Sequence, residues 1–459
     1  MSKKTIIKGT LILTIAGIAT KFLGFYNRIF LTRTIGVKEI GIYQLVFPLY
    51  VLAFSISCSG LATALTKHIS YFLGQNKHHS MKRISRLCFL LSAGASLIVC
   101  SLIFLFSDFL CTNILKNSDC IPLLRTIIIA IPFVALKAGI NAFFVGVDKP
   151  GFQGITNFFE QIVRIGTGMF LAHIWTFGRP DARLAVIAVV AGEIAATFLS
   201  VGFFLVNKNK FMPVVKKADI SGEAQKNKST GYSGDNAVGI LKPYVMDAIP
   251  ITTNNLMLTL FSSLETILIP AMLYYFYMNS DKSMEIYGII TGIVIPFLLF
   301  PSTITTSLST MLLPAVSYAR AKSNRPLIVE AIKKSLTFCF VLGLLAWGFY
   351  MIFGKALCIF TFKNAYAGVL LQKISFLCPF IYISGNMSAI LNGMGKAFGN
   401  LMINVAGLVV RIIITVTLVP TYGITAYFLG MTLSYLLLDI SMLAVAIHFC
   451  RKKDALAAG

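Results

Sequence analysis

Acidic side chains are scarce in this chain: its 459 residues hold 17 Asp and Glu against 40 Lys and Arg, and charged residues of both signs make up only 12%. Soluble domains carry roughly a quarter, so a largely water-facing surface is excluded. Cysteine is present nine times but never as C-x-x-C, and most copies lie inside apolar runs. Metal and redox chemistry are therefore not expected, and small apolar packing is. Cys111 and Cys120 flank one short loop and also suit a disulfide on an oxidising side. A Walker A lysine loop is lacking, and the G-x-G at 393–395 has no strand before it, so neither ATP-driven work nor an enzyme signature is read here. Long polar segments are lacking too, apart from one at residues 208–242.

What fills the chain is apolar sequence, 57% of it. Stretches long enough to cross a bilayer fall near 10–30, 42–66, 87–111, 123–147, 154–176, 184–207, 243–272, 286–311, 335–354, 370–392, 399–419 and 424–449. The fold class expected is an all-α polytopic membrane protein of twelve transmembrane helices. The opening MSKK and its apolar run contain Lys21 and lack a cleavage pattern, so they read as a retained first helix and not a signal peptide. Net charge is +23, but the basic residues sit in short segments between spans, which fits orientation in a membrane better than nucleic acid as a partner. Most of these cations fall on one side, and both termini are expected in the cytoplasm, with the plasma membrane as the site. Residues 208–242, rich in Lys, Ser, Gly, Asn and Asp, read as a cytoplasmic linker between 1–207 and 243–459.

The two halves match at an offset of 247 residues. Gly41 falls on Gly288, Leu61 on Leu308, Ser70-Tyr71 on Ser317-Tyr318, Pro132-Phe133 on Pro379-Phe380, Gly146 on Gly393, Lys149 on Lys396, Asn157 on Asn404 and Arg164 on Arg411. Such a shared polar set implies two copies of one six-helix unit. An even number of spans gives both copies one orientation, so a pseudo-twofold axis along the membrane normal is expected, with a substrate cavity between the lobes.

Charges inside the spans mark candidate sites. On the first span Thr10, Thr14, Gly17, Lys21, Gly24 and Arg28 share one narrow sector at about 100° per residue. Cations beside bare glycine backbone suit phosphate oxygens, although Lys21 also suits an ion pair and Arg28 an interfacial anchor. Glu160 and Arg164 stand i, i+4 and read as a self-neutralising pair, and the fourth span carries Lys137. Arg411 has Gly407 and Asn404 behind it and needs a partner from another helix, Asp439 being one choice, or an anionic ligand. Glu265 shares a face of the seventh span with Asp247 and Asn254, where Pro250 and Pro270 are expected kink points. Glu193 and Asp439 occupy similar places in the two halves and suit either proton or sodium coupling or bracing.

The run KGTLILTIAGIATKFLGFYNRIFLTRTIGVKEIGIYQLVFPLY (8–50), with SGLATALTKHIS (59–70), GVDKPGFQGITNFFEQIVRI (146–165) and ILNGMGKAFGN (390–400), resembles the stage V sporulation protein B-like group of polysaccharide transporters. That group belongs to the superfamily of multidrug extruders, oligosaccharidyl-lipid flippases and lipid II flippases. The resemblance implies two six-helix lobes that flip or export an undecaprenyl-pyrophosphate-linked saccharide for cell-wall or surface polysaccharide. It also implies a cavity lined by basic residues of the first helix, here Lys21 and Arg28. The chain ends after twelve expected spans, without the two further helices of lipid II flippases. Expected partners are a lipid-linked saccharide, membrane lipids and polysaccharide-synthesis enzymes. No cofactor is expected, the drive being H+, Na+ or membrane potential. Two rival readings are a cation-coupled multidrug exporter using Glu265, Glu193 or Asp439, and a non-transporting scaffold for polysaccharide synthesis.

Overall fold

The computed structural model describes residues 3–75, 77–175, 180–211, 237–321 and 324–451, which are helical almost throughout and contain no strand. The helices are α1 (Lys3–Ile35), α2 (Val37–Phe54), α3 (Gly60–Gly74), α4 (His78–Leu105), α5 (Cys120–Ile127), α6 (Ala130–Gly146), α7 (Gly151–Ile174), α8 (Ala182–Phe211), α9 (Ala237–Tyr277), α10 (Ser280–Ile289), α11 (Ser302–Ala321), α12 (Arg325–Phe362), α13 (Ala365–Ile374), α14 (Cys378–Gly393), α15 (Ala397–Tyr422) and α16 (Ile424–Arg451). Among the described residues, ten helical segments are long and apolar enough to cross a membrane. The other two expected spans coincide with α1 and α7, which carry Lys21 and Arg28, and Glu160 and Arg164. Of the expected linker, 208–211 close α8 and 237–242 open α9, while 212–236 lie outside the described residues.

Local sequence explains most boundaries. Asn279, Asn324 and Asn364 each accept a hydrogen bond from a backbone N–H three residues on, capping α10, α12 and α13. The span expected at 286–311 is interrupted between Leu299 and Ser302, where Pro301 has no N–H to continue the ladder. Pro250 and Pro270, expected to kink the seventh span, lie inside an uninterrupted α9. Prolines are tolerated in membrane helices where neighbouring groups take up the freed carbonyls. Gly423 turns the chain from α15 to α16 at φ +61°, and a Cβ there would sit 2.8 Å from the Phe276 ring.

The chain forms two compact units: unit 1 is Met1–Gly24 with Val46–Thr259, and unit 2 is Phe25–Leu45 with Leu260–Gly459. Residues 25–45 thus pack with the second unit and 243–259 with the first, a division that differs from the 1–207 and 243–459 expected. The core of unit 1 gathers Leu65, Ile69, Phe72, Met81, Ile84, Phe143 and Tyr244, all nearly inaccessible. That of unit 2 gathers Val316, Ile328, Met387, Ile390, Leu391, Met442 and Ala446.

The internal repeat reappears as matching contacts inside each unit. In unit 1 the Ser70 hydroxyl donates to the Gly146 carbonyl at 2.9 Å, and a Cβ on Gly146 would lie 2.7 Å from Ile69. In unit 2 the Ser317 hydroxyl donates to the Gly393 carbonyl at 3.1 Å, and a Cβ on Gly393 would lie 3.0 Å from Val316. Both glycines admit a helix at backbone distance, and both serines satisfy a helix-end carbonyl. Unit 2 also contains a reciprocal contact. A Cβ on Gly41 would run into the Met284 carbonyl oxygen, and one on Gly288 into that of Val37. Val37 and Met284 stand at the same 247-residue offset as the two glycines.

Candidate functional site

Unit 1 buries a four-membered charge cluster. Glu160 and Arg164 on α7 pair across one turn at 2.6 Å, as their spacing predicts. Lys137 on α6 reaches Glu160 at 2.6 Å and also bonds Glu193 on α8. Arg164 lies 3.7 Å from Glu193, which further accepts the Tyr50 hydroxyl at 3.4 Å. Gly192 makes room for this, since a Cβ there would sit 3.1 Å from the Glu160 carbonyl oxygen. Two cations and two carboxylates cancel, so the cluster presents no net charge to a ligand. Its members, at 6–8% exposure for Lys137, Glu160 and Glu193, act as a brace between α6, α7 and α8. Nearer the end of the same unit, Lys67 and the buried His68 meet Asp247 on α9 at 2.8 and 3.0 Å. Sequence reading missed this grouping, because spacing along α3 or α9 does not tell which faces of the two helices meet.

In unit 2 the partner of Arg411 is Glu265, not Asp439. Its Nε lies 3.1 Å from Glu265 Oε1, off the hydrogen-bond axis, and its guanidinium stacks 5.6 Å from the Tyr435 ring centre. Tyr427 donates its hydroxyl to the same carboxyl oxygen at 3.2 Å. Reach decides the choice: α9 and α16 place Glu265 and Tyr427 together, and Gly430 leaves space for the Arg411 stem, 3.8 Å from where its Cβ would stand. Asn404 donates to the Asn400 carbonyl at 2.8 Å and to the Asn400 side chain at 3.1 Å. Asn400 in turn joins Ser388 and Asn392, so Asn404 belongs to a polar seam between α14 and α15. Both carboxyl oxygens of Asp439 are buried without a hydrogen-bond partner.

The two candidate cations of α1, Lys21 and Arg28, lie in different settings. Lys21 is exposed, and a Cβ added at Gly17 or Gly24 would meet nothing within 4 Å. Arg28, half-buried in unit 2, donates Nη1 to the Thr291 carbonyl at 2.9 Å and forms no ion pair among the described residues. A guanidinium has five N–H donors, so most of its donor capacity remains for solvent or a ligand. Thr10 and Thr14, on the same expected face, have side chains outside the described set.

Cys111 and Cys120 are both buried and both free. Burial, with Asp108 adding to it, pushes the Cys111 thiol up to about 11, which suits packing and not thiolate chemistry.

Fold and site together define a multi-pass helical membrane protein whose buried charges are mostly neutralised within each unit, Arg28 meeting a backbone carbonyl instead of a carboxylate. The fold is similar to that of multidrug resistance MATE family transporters of the MOP superfamily. One was solved inward-facing (TM-score 0.68, 12% identity, 98% of this chain and 99% of that chain) and another outward-facing (0.69, 13%, 100% and 97%). It is likewise similar to a MOP superfamily transporter from Pyrococcus furiosus whose binding pocket is described as reversed in polarity (0.67, 13%, 100% of both chains). The family model described as polysaccharide biosynthesis protein matches residues 6–320, and the chain belongs to that family. Two curated relatives come from Bacillus subtilis (strain 168). Stage V sporulation protein B is 25% identical over 432 residues, covering 92% of this chain and 80% of the relative. Sporulation protein YkvU is 22% identical over 338 residues, covering 72% and 69%. The chain is thus a multi-pass membrane protein of the polysaccharide biosynthesis protein family.

Proposed function

We propose that this protein flips an anionic, undecaprenyl-pyrophosphate-linked saccharide from the cytoplasmic to the outer leaflet of the bacterial plasma membrane by alternating access. The observation that carries the reading is Arg28. Lys137, Arg164 and Arg411 are each matched by a carboxylate, whereas Arg28 meets the Thr291 backbone carbonyl and forms no ion pair among the described residues. A pyrophosphate offers oxygens for both an ammonium and a guanidinium fork, while the prenyl tail stays in lipid. Similar folds solved facing inward and outward support an alternating cycle. A potential negative inside favours outward movement of the anion by about 2.3 kcal/mol per charge per 100 mV.

The multidrug reading draws less support, because two of its three carboxylates, Glu265 and Glu193, are already held by Arg411 and Lys137, leaving it Asp439. The scaffold reading rests on the 208–242 linker alone. Head-group flipping in proteoliposomes separates the three. Lys21→Ala is expected to slow it about tenfold or more, the loss of one charge-assisted contact. Unchanged flipping in Lys21→Ala together with dye efflux lost in Glu265→Gln overturns the proposal in favour of cation export.

A further inference from the structure

We propose that Asp439 forms a proton-binding site inside unit 2, separate from the basic face of α1. α16 packs there against α12, α14 and α15. Leu438 and Met442, flanking Asp439 in sequence, belong to the unit 2 core with Ile332 and Met387. Gly407 on α15 brings the helices close: a Cβ there would lie 3.0 Å from Leu438, and Ser434 donates to the Gly407 carbonyl at 2.9 Å. Into this packing α16 carries a carboxyl group whose two oxygens are buried with no hydrogen-bond partner.

The surrounding elements supply no countercharge. From α12 the titratable group facing Asp439 is Cys339, with the buried Ser335 beside its thiol, one turn earlier. α14 presents Asn386, whose amide N–H donates to Cys339 Sγ at 2.6 Å and whose carbonyl oxygen takes the Ser309 hydroxyl at 2.7 Å. The charged residue of α15 is Arg411, which is matched to Glu265 and lies over the ring of Tyr435, one turn before Asp439 on α16, where His448 and Arg451 lie at the far end. An ionised carboxylate left unpaired in such a place costs several kcal/mol. A hard metal ion needs about six oxygen ligands, and among the described residues of these helices the carboxyl pair is joined only by the Ser335 and Thr415 hydroxyls as buried oxygens short of a hydrogen-bond partner. A proton needs one oxygen. It cancels the charge, and its removal sets Asp439 against the apolar packing of α16. Proton occupancy therefore biases how α16 seats on α12, α14 and α15. This holds whatever the protein carries.

The test reads the protein alone. Infrared difference spectra of the purified full chain in liposomes, at neutral and strongly alkaline pH, are expected to show a protonated carboxylic acid band that Asp439→Asn abolishes and Asp439→Glu restores at a shifted frequency. Thermal melting is expected to lose its pH dependence in that region in Asp439→Asn and to ignore Na+ replaced by choline. Absence of the band from the unsubstituted protein overturns the proposal whether or not the variants fold. Its persistence in Asp439→Asn, or a melting temperature that follows Na+, overturns it as well. Failure of substrate flipping leaves these spectra untouched, so the two readings fail separately.

Discussion

Glu160 and Arg164 declared their pairing through i, i+4 spacing, and the structure keeps it at 2.6 Å. Lys137 and Glu193 were visible as intramembrane charges, but their joining the pair was not, because contacts between helices depend on rotation and depth that spacing along one helix leaves open. The same limit misdirected Arg411 toward Asp439 when Glu265, from the seventh span, is its partner. Tyr50 and Tyr427, each supporting a glutamate, were lost among 17 tyrosines. A balanced buried cluster makes a sharp energetic prediction. Lys137→Ala, which leaves carboxylates uncompensated, is expected to destabilise the protein by about 3–5 kcal/mol. Replacing Lys137 and Glu193 together by leucine, with Glu160 and Arg164 still paired, is expected to recover most of that loss. Denaturant unfolding in detergent checks both, and a single variant within 1 kcal/mol of the parent contradicts a bracing role.

At the scale of elements, apolar run length located nearly every helix, and Asn caps explain several starts. The break before Ser302 was legible in Pro301 but was overrun by the hydropathy on either side. Close helix approach is where glycine position matters. Gly41 and Gly288, matched by the repeat, touch each other's helices reciprocally within unit 2, whereas Gly348 on α12 faces open space. Gly288→Ala is therefore expected to lower thermal stability by an overpacking cost of about 1–3 kcal/mol, and Gly348→Ala to leave it within a few tenths. Melting curves of the two variants decide the matter, and equal effects contradict the backbone contact.

For the whole molecule, the two-copy organisation could be read from ten matched positions and is repeated as matched Ser-to-Gly hydrogen bonds in each unit. Which helix segments join which unit could not be read. Apolar sequence says that a face avoids water, yet it does not name the neighbour, and residues 25–45 join unit 2 through contacts such as Gly41 with Met284. The family match places the chain among polysaccharide-biosynthesis membrane proteins, and the proposed anion contact at Arg28 is what remains to be measured. The most direct measurement is the leaflet distribution of a fluorescent undecaprenyl-pyrophosphate saccharide in proteoliposomes under an imposed potential. With the cytoplasmic face 100 mV negative, the outer-to-inner ratio is expected to rise by roughly 50-fold per net charge moved, and the Lys21→Ala, Arg28→Ala double variant to approach it far more slowly. A distribution indifferent to voltage, reached at the same speed by the double variant, contradicts the account.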